Sequence, residues 1–119
     1  MSTLKVNDIQ EATAGGGKAF VGRAWVNFNG TGTVAIRADG NVSSITDNGT
    51  GLYTINISSA ITDANYAHTS MTQWASGSTF NLCHVASGHT PTTTALQITT
   101  MNSGGGVTDA ARVGVELVR

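Results

Sequence analysis

The chain has little charge, and it lacks any long apolar run. Charged residues make up 11% of its 119 positions, and the formal net charge is −1. A protein without a basic excess cannot hold a row of phosphates, which argues against nucleic acid and against an anionic membrane surface as partners. The opening MSTLKVNDIQ has no apolar signal-peptide core, and no stretch approaches the length of a membrane span. We therefore expect no membrane insertion.

Cysteine and proline each occur once, at Cys83 and Pro91. A single thiol cannot form an internal disulfide, so no bridge framework supports this small domain, and a reducing folding compartment is expected. Cys83 lies between Leu82 and His84 in an apolar strand pattern, which predicts a packed structural thiol rather than a nucleophile. No residue pattern calls for a cofactor, and none is expected.

Glycine, threonine, serine and asparagine are abundant, and apolar residues recur at every second position. Thr and Val suit a pleated strand, whereas Gly and Asn suit tight turns. In FVGRAWVNF, one parity contains Phe20, Gly22, Ala24, Val26 and Phe28. Turn signals recur about every ten residues, and no window has a helical period. The sequence therefore predicts an all-β fold, an antiparallel β-sandwich or jelly-roll-like domain of about eight strands over residues 19–119.

Individual strands follow from the same alternation. The residues predicted to face the core in later strands are Val34, Ile36, Ala38, Tyr53, Ile55, Ile57, Leu96, Ile98, Val113, Val115 and Leu117. The Asn29-Gly30 and Asp39-Gly40 turns are expected to set hairpin register. Val42 and Ile45 are three positions apart, which predicts a bulge or an irregular strand.

Residues 1–18 differ from the rest and predict an attachment arm. Leu4, Val6 and Ile9 form a short apolar rhythm, and Gly15–Gly17 form a flexible hinge. A stripe this short cannot bury itself, so it is expected to pack on its own domain or on a neighbouring chain. The GGGK segment lacks the spacing and the following Ser or Thr of a phosphate-binding loop.

No arrangement of residues predicts catalysis or a metal site. His68, His84 and His89 are not accompanied by a ligand motif, and the seven carboxylates are scattered. No nucleophile elbow or triad spacing is present. The TDNGTG turn lacks the spacing of a calcium-binding EF-hand loop, and Asp or Asn in such turns normally caps its own backbone. We expect no catalytic residue and no metal ligand.

The tryptophans are the best candidates for a binding surface. Trp25 lies on the face of its strand opposite to Val26 and Phe28, and exposed aromatics of this kind stack on sugar rings or fill protein interfaces. Together with Val21, Trp25 is predicted to form an oligomer interface, the alternative being a second core. Trp74 ends a strand beside a loop, and both readings stay open for it.

Three segments resemble a module found in tailed-bacteriophage virion proteins, many of them labelled tail fibre proteins. They are AWVNFNGTGTVAIR, NVSSITDNGTGLYTINI and DANYA, within residues 24–67, and the closing TDAARVGVELVR is similar to the last strand of that module. The leading STLKVNDIQ also resembles the short segment that often precedes it. The chain departs from the pattern in SSAITDANYA, where related chains carry a proline before DANYA.

The resemblance implies a non-enzymatic structural protein of the virion. As a tail fibre or fibre tip it would attach the particle to a host surface glycan or protein, form a homotrimer, and bind other virion proteins through its N-terminal arm. The receptor contacts are expected after Thr69, and the candidate residues are Trp74, Asn81, His84 and His89. Two alternatives are a capsid decoration or cement protein, and a depolymerase, which would need a pair of carboxylates facing a groove.

Overall fold

The computed structural model describes residues 2–5, 21–74 and 81–119. The predictions for Val6, Ile9, Phe20 and the glycine hinge at 15–17 lie outside the described residues. The described residues form eight strands: β1 (Gly22–Asn29), β2 (Ala35–Gly40), β3 (Val42–Gly49), β4 (Leu52–Ile57), β5 (Ala67–Gln73), β6 (Asn81–Val85), β7 (Ala95–Asn102) and β8 (Arg112–Val118). No helix in the described part of the chain is long and apolar enough to cross a membrane.

The strands form two antiparallel sheets of four, which confirms the predicted all-β sandwich. The first sheet has the order β2-β1-β8-β5, and the second has the order β3-β4-β7-β6. Only β1–β2, β3–β4 and β6–β7 pair as sequence neighbours within a sheet. The other connections cross from one sheet to the other, so each sheet is assembled from distant parts of the chain.

The sandwich has two ends, and different loops and chain segments lie at each. The proximal end contains Val21, Arg119, Asn41 and the loops 58–66 and 86–94. The distal end contains the connections 30–34, 50–51 and 103–111, and β5 ends there as β6 begins. Since every strand runs from one end to the other, Val21 before β1 lies at the end opposite to the long glycine-rich loop.

One apolar core lies between the sheets, and it confirms most of the predicted inward positions. Its buried members are Ala24, Val26, Phe28, Val42, Tyr53, Ile55, Ile57, Ile61, Leu96, Ile98, Ala110, Val113, Val115 and Leu117. Val34 and Ile36 are partly buried and pack against it. The rings of Phe28 and Tyr53 meet edge to face with centroids 5.2 Å apart, a favoured aromatic geometry.

Two predictions for β2 are wrong. Ala38 is exposed rather than inward, because a register shift between Asn27 and Phe28 pairs Ala38 with the outward-facing Asn27. The Asp39-Gly40 turn does not close a hairpin either. It leads through Asn41, with a φ of 59°, to β3 in the other sheet.

A second bulge changes the predicted parity at the start of β1. Gly22 pairs with Val118 and Ala24 pairs with Leu117, so Arg23 is the extra residue. Since Leu117 faces the core, Val118 and Gly22 face outward, contrary to the predicted inward position of Gly22. Because this bulge lies between Val21 and Trp25, the every-second-residue alternation does not place Val21 on the same face as Trp25. The irregularity predicted near Val42 is confirmed as a register shift between Val42 and Ser44.

Candidate functional site

The outer face of the first sheet brings together residues from three strands. Strand pairing places Trp25 of β1, Glu116 of β8 and Thr69 of β5 in one row across the sheet. The neighbouring row contains Asn27, Gly114 and Met71. Adjacent antiparallel strands lie about 4.8 Å apart, so the two rows form a surface roughly 10 Å wide from β1 to β5.

Glycines allow the large side chains of this face to lie flat on the sheet. The indole of Trp25 lies over Gly40 of β2, where a Cβ would collide with its Nε1. Met71 lies over Gly114, and its Cγ is 2.8 Å from the place of a Cβ. Trp25 stays 47% exposed and Met71 58% exposed. Because both side chains lie along the sheet surface rather than projecting from it, this face is a shallow platform.

The platform contains a groove with a volume of about 540 Å³, within the range of small-molecule sites. It is lined by Trp25, Val26, Asn27, Thr69, Ser70, Met71, Gly114, Val115 and Glu116. Val26 and Val115 are buried in the core, and Ser70 turns its hydroxyl to the Cys83 carbonyl. Five side chains therefore face the groove, two of them apolar and three polar. We call this set, Trp25, Asn27, Thr69, Met71 and Glu116, the groove residues.

Among the described residues that line the groove, Glu116 is the one that is charged. It leans toward Gly22, whose ideal Cβ would lie 2.9 Å from its Oε1. Asn27 accepts a long hydrogen bond of 3.5 Å from Arg37, which is fixed by a 2.8 Å bond to the Ala111 carbonyl. With a single carboxylate, the groove offers hydrogen-bonding groups but no pair of acids for glycoside hydrolysis.

The predicted receptor residues are not brought together. Trp74 follows β5 and Asn81 begins β6, both at the distal end, whereas His89 lies in the loop at the proximal end. His84 is exposed on β6, with Nδ1 2.8 Å from the Val85 carbonyl and Nε2 3.1 Å from the Met101 sulfur. Within the described residues, no group of three or more His, Cys, Asp or Glu could hold a metal ion.

Cys83 and Asp47 have the structural surroundings that the sequence predicts. Cys83 packs against the core, and burial raises the pKa of its thiol, so the reactive thiolate is disfavoured. The Asp47 carboxylate accepts the Gly49 N–H at 3.0 Å, so it caps its own turn. The proposed arm is described only at residues 2–5, where Leu4 is 86% exposed.

A second polar cluster lies at the distal end and is structural. The Tyr53 hydroxyl lies 2.8 Å from the Gly30 carbonyl oxygen and 2.9 Å from Asp109 Oδ1, which also accepts the Gly51 N–H at 2.7 Å. Burial, reinforced by the bond to Asp109, raises the pKa of Tyr53 far above its ordinary value. The hydroxyl therefore stays protonated and ties three distal connections together.

The sequence indicated Trp25 but not its neighbours in the groove. Alternation gives the face of a residue within its own strand, whereas the adjacency of β1, β8 and β5 comes from pairing between distant segments. Comparisons with protein-family models, with curated proteins and with solved structures gave no match. A functional assignment therefore rests on the residues and on the groove that they form.

Proposed function

We propose that this chain is a non-enzymatic bacteriophage structural protein, a tail fibre or fibre-tip component that attaches the virion to a host surface receptor. The resemblance of residues 24–67 to the phage module supports the virion assignment. We assign the binding role to the groove on the first sheet, because it exposes an aromatic platform beside polar side chains and has a single carboxylate among its described lining residues. That composition suits recognition of a ligand without chemistry on it.

The polarity of the sandwich is compatible with this role. Val21, which directly precedes β1, lies at the proximal end, so an anchor on that side of the sandwich would face away from the distal loops. Trp74 and Asn81 flank a connection at that distal end. In this proposal the arm anchors the chain, and the exposed groove or the distal loops meet the receptor.

Competition for adsorption tests the proposal. Purified full-length chain, added before the phage, is expected to lower the fraction of particles that adsorb to host cells, because it occupies the receptor. Trp25→Ala should compete less well than the original chain, whereas Thr46→Ala, at an exposed position of the other sheet, should compete equally. Immunogold labelling of particles should place the chain on the tail. Absence of the chain from particles would refute the virion role.

Capsid decoration is the second candidate, and the exposure of Leu4 favours it. An apolar side chain that is 86% exposed in a short arm gains stability by packing on a neighbouring subunit, as a cement protein does. Electron microscopy of the intact particle separates the two roles, since density would lie on the head rather than on the tail. The proposed homotrimer is tested by sedimentation, where a stable monomer at micromolar concentration would contradict it.

A further inference from the structure

The mixture of groups in the groove argues against a second copy of this chain as its occupant. Three of the five groove residues are polar, and Glu116 is charged. Burying a carboxylate in a dry subunit interface costs several kcal/mol unless a cation or hydrogen bonds compensate. The groove therefore favours a ligand that can hydrogen-bond.

The geometry of Trp25 favours a flat ligand with one apolar face. Its indole rests on Gly40 and is 47% exposed, so one broad surface is open to solvent. Asn27 lies two residues along the same strand, and Glu116 lies beside Trp25 on β8. A pyranose ring has an apolar face of C–H groups and a rim of hydroxyls. Such a ring can stack on the indole while its hydroxyls reach the amide and the carboxylate.

The charge of the groove selects among saccharides. Among the described residues that line the groove, Glu116 is the only charged one, so a carboxylated or sulfated sugar would meet a like charge there. The neighbouring Arg37 is already bound to the Ala111 carbonyl and to Asn27. A neutral sugar instead offers hydroxyl donors, for which an ionised carboxylate is a strong acceptor. The volume of about 540 Å³ accommodates a short stretch of sugar units.

We infer that the groove between Trp25 and Met71 is a binding site for neutral saccharides. Trp25 stacks on a sugar ring, and Asn27, Thr69 and Glu116 bind its hydroxyls. The inference deepens the proposed function, because it names the chemical class of the receptor. It does not depend on where the chain sits in a particle, so its binding test stands apart from the localisation test.

The inference is tested by titrating the full-length chain with lactose, maltotriose and chitotriose. Binding is measured by calorimetry and by tryptophan fluorescence. At least one of these neutral probes should bind with a dissociation constant in the millimolar range or below. Trp25→Ala should weaken that binding about tenfold or more, the loss expected for a stacking platform. Trp25→Phe, which keeps an aromatic ring, should give an intermediate loss of affinity. Binding by this variant would also show that the fold tolerates a substitution at this position.

Charge selection is tested with 3′-sialyllactose against lactose. The anionic probe should bind several-fold more weakly, and Glu116→Gln should reduce that difference. Thr46→Ala, at an exposed position of β3 in the second sheet, is the matched surface control and should leave affinity unchanged. Trp74→Phe removes the second of the two tryptophans, so that the remaining fluorescence change reports Trp25.

Three outcomes would overturn the inference. One is that no neutral probe binds at millimolar concentration. Another is that Trp25→Ala binds as well as the original chain. The third is self-association that Trp25→Ala abolishes, which would identify a second copy as the occupant. Saccharide binding by a chain that is absent from particles would instead refute the proposed function and leave this inference intact.

Discussion

At the scale of single residues, Tyr53 joins the core to the distal loops. Its ring is fully buried against Phe28, and its hydroxyl meets the Gly30 carbonyl and the Asp109 carboxylate. The sequence places this side chain inward but gives no indication that its hydroxyl has partners 23 and 56 positions away. A buried polar atom of this kind stabilises only while its partners remain.

Tyr53→Phe should therefore lower the free energy of unfolding by about 1–3 kcal/mol, because the acceptor of the single Tyr53 O–H, the Gly30 carbonyl or the Asp109 carboxylate, loses its donor. Urea denaturation measures this change. Tyr66→Phe is the matched control, since the Tyr66 hydroxyl donates to the Thr92 carbonyl at 2.9 Å in an exposed position and should cost less than about 1 kcal/mol. Equal losses in the two variants would contradict the structural role given to Tyr53.

The ion pair between Asp63 and Arg119 predicts a dependence of stability on pH. Hydrogen bonding from Arg119, aided by the Asn65 N–H, lowers the pKa of Asp63 to about 2. In the unfolded chain the pKa of this carboxyl is about 4. Because the folded pKa is the lower one, the stabilisation is complete above the unfolded pKa and is lost as the pH falls toward 2.

Urea midpoints measured between about pH 5 and pH 2 should therefore converge for the original chain and Asp63→Asn as the pH falls. Near pH 5 the difference in urea midpoint between the two proteins should be small, because the Asp63 and Arg119 side chains are both substantially exposed. Added salt should reduce this difference further. Asp39→Asn, which changes an exposed carboxylate outside this pair, should not reproduce the effect. A difference that grows toward pH 2 would contradict the assignment.

At the scale of elements, Gly51 determines how the β3–β4 hairpin meets β7. Its φ is +64°, and an added Cβ would lie 2.6 Å from the Thr108 nitrogen and 2.7 Å from the Thr100 oxygen. Its carbonyl also accepts the Thr100 N–H at 2.8 Å. The backbone of three segments therefore converges on a position without room for a side chain.

Alanine substitution at Gly51 and at Gly32 separates crowding from backbone strain. Gly32 has nearly the same φ, +60°, but no atom lies within 4 Å of its ideal Cβ. Gly32→Ala should cost about 1 kcal/mol from the left-handed conformation alone. Gly51→Ala should cost about 2–4 kcal/mol, because crowding is added. Similar unfolding free energies for the two variants would show that the hairpin can shift away from β7.

The same scale shows where sequence periodicity succeeds and where it fails. The alternations in β4 and β8 are regular, and every predicted inward residue in them is buried. In β1 and β2 the register shifts beside Gly22 and Asn27 reverse the parity of Gly22 and Ala38. A bulge adds one residue to one strand, so it moves each later side chain to the other face without a reliable sequence signal.

At the scale of the whole molecule, the arm is expected to be separable from the sandwich. The buried core of the described residues begins at Ala24, and Leu4 contributes nothing to it. Deletion of residues 1–17 should leave cooperative urea unfolding near that of the full chain. The same deletion should abolish incorporation into particles, if the arm is the anchor.

Immunoblotting of purified particles measures that incorporation. Leu4→Asp, which changes one exposed apolar side chain of the arm and leaves its length intact, should weaken incorporation for the same reason. Normal incorporation of the truncated chain would show that the anchor lies elsewhere on the protein.

The sequence by itself determined the all-β class, the number of strands and most of the core. These properties depend on the alternation of apolar residues and on turn residues. Both can be recognised within a short stretch of the sequence. It also indicated that Trp25 faces away from the core, and the structure confirms that the side chain is exposed.

Only the tertiary structure decided which surface Trp25 belongs to. The groove exists because β8, the last strand, lies between β1 and β5 and places Gly114 and Glu116 beside residues from two other parts of the chain. Pairing between distant strands results from the burial of the whole core, and no local pattern encodes it. For that reason the tryptophan could be found in the sequence, and its neighbours could not.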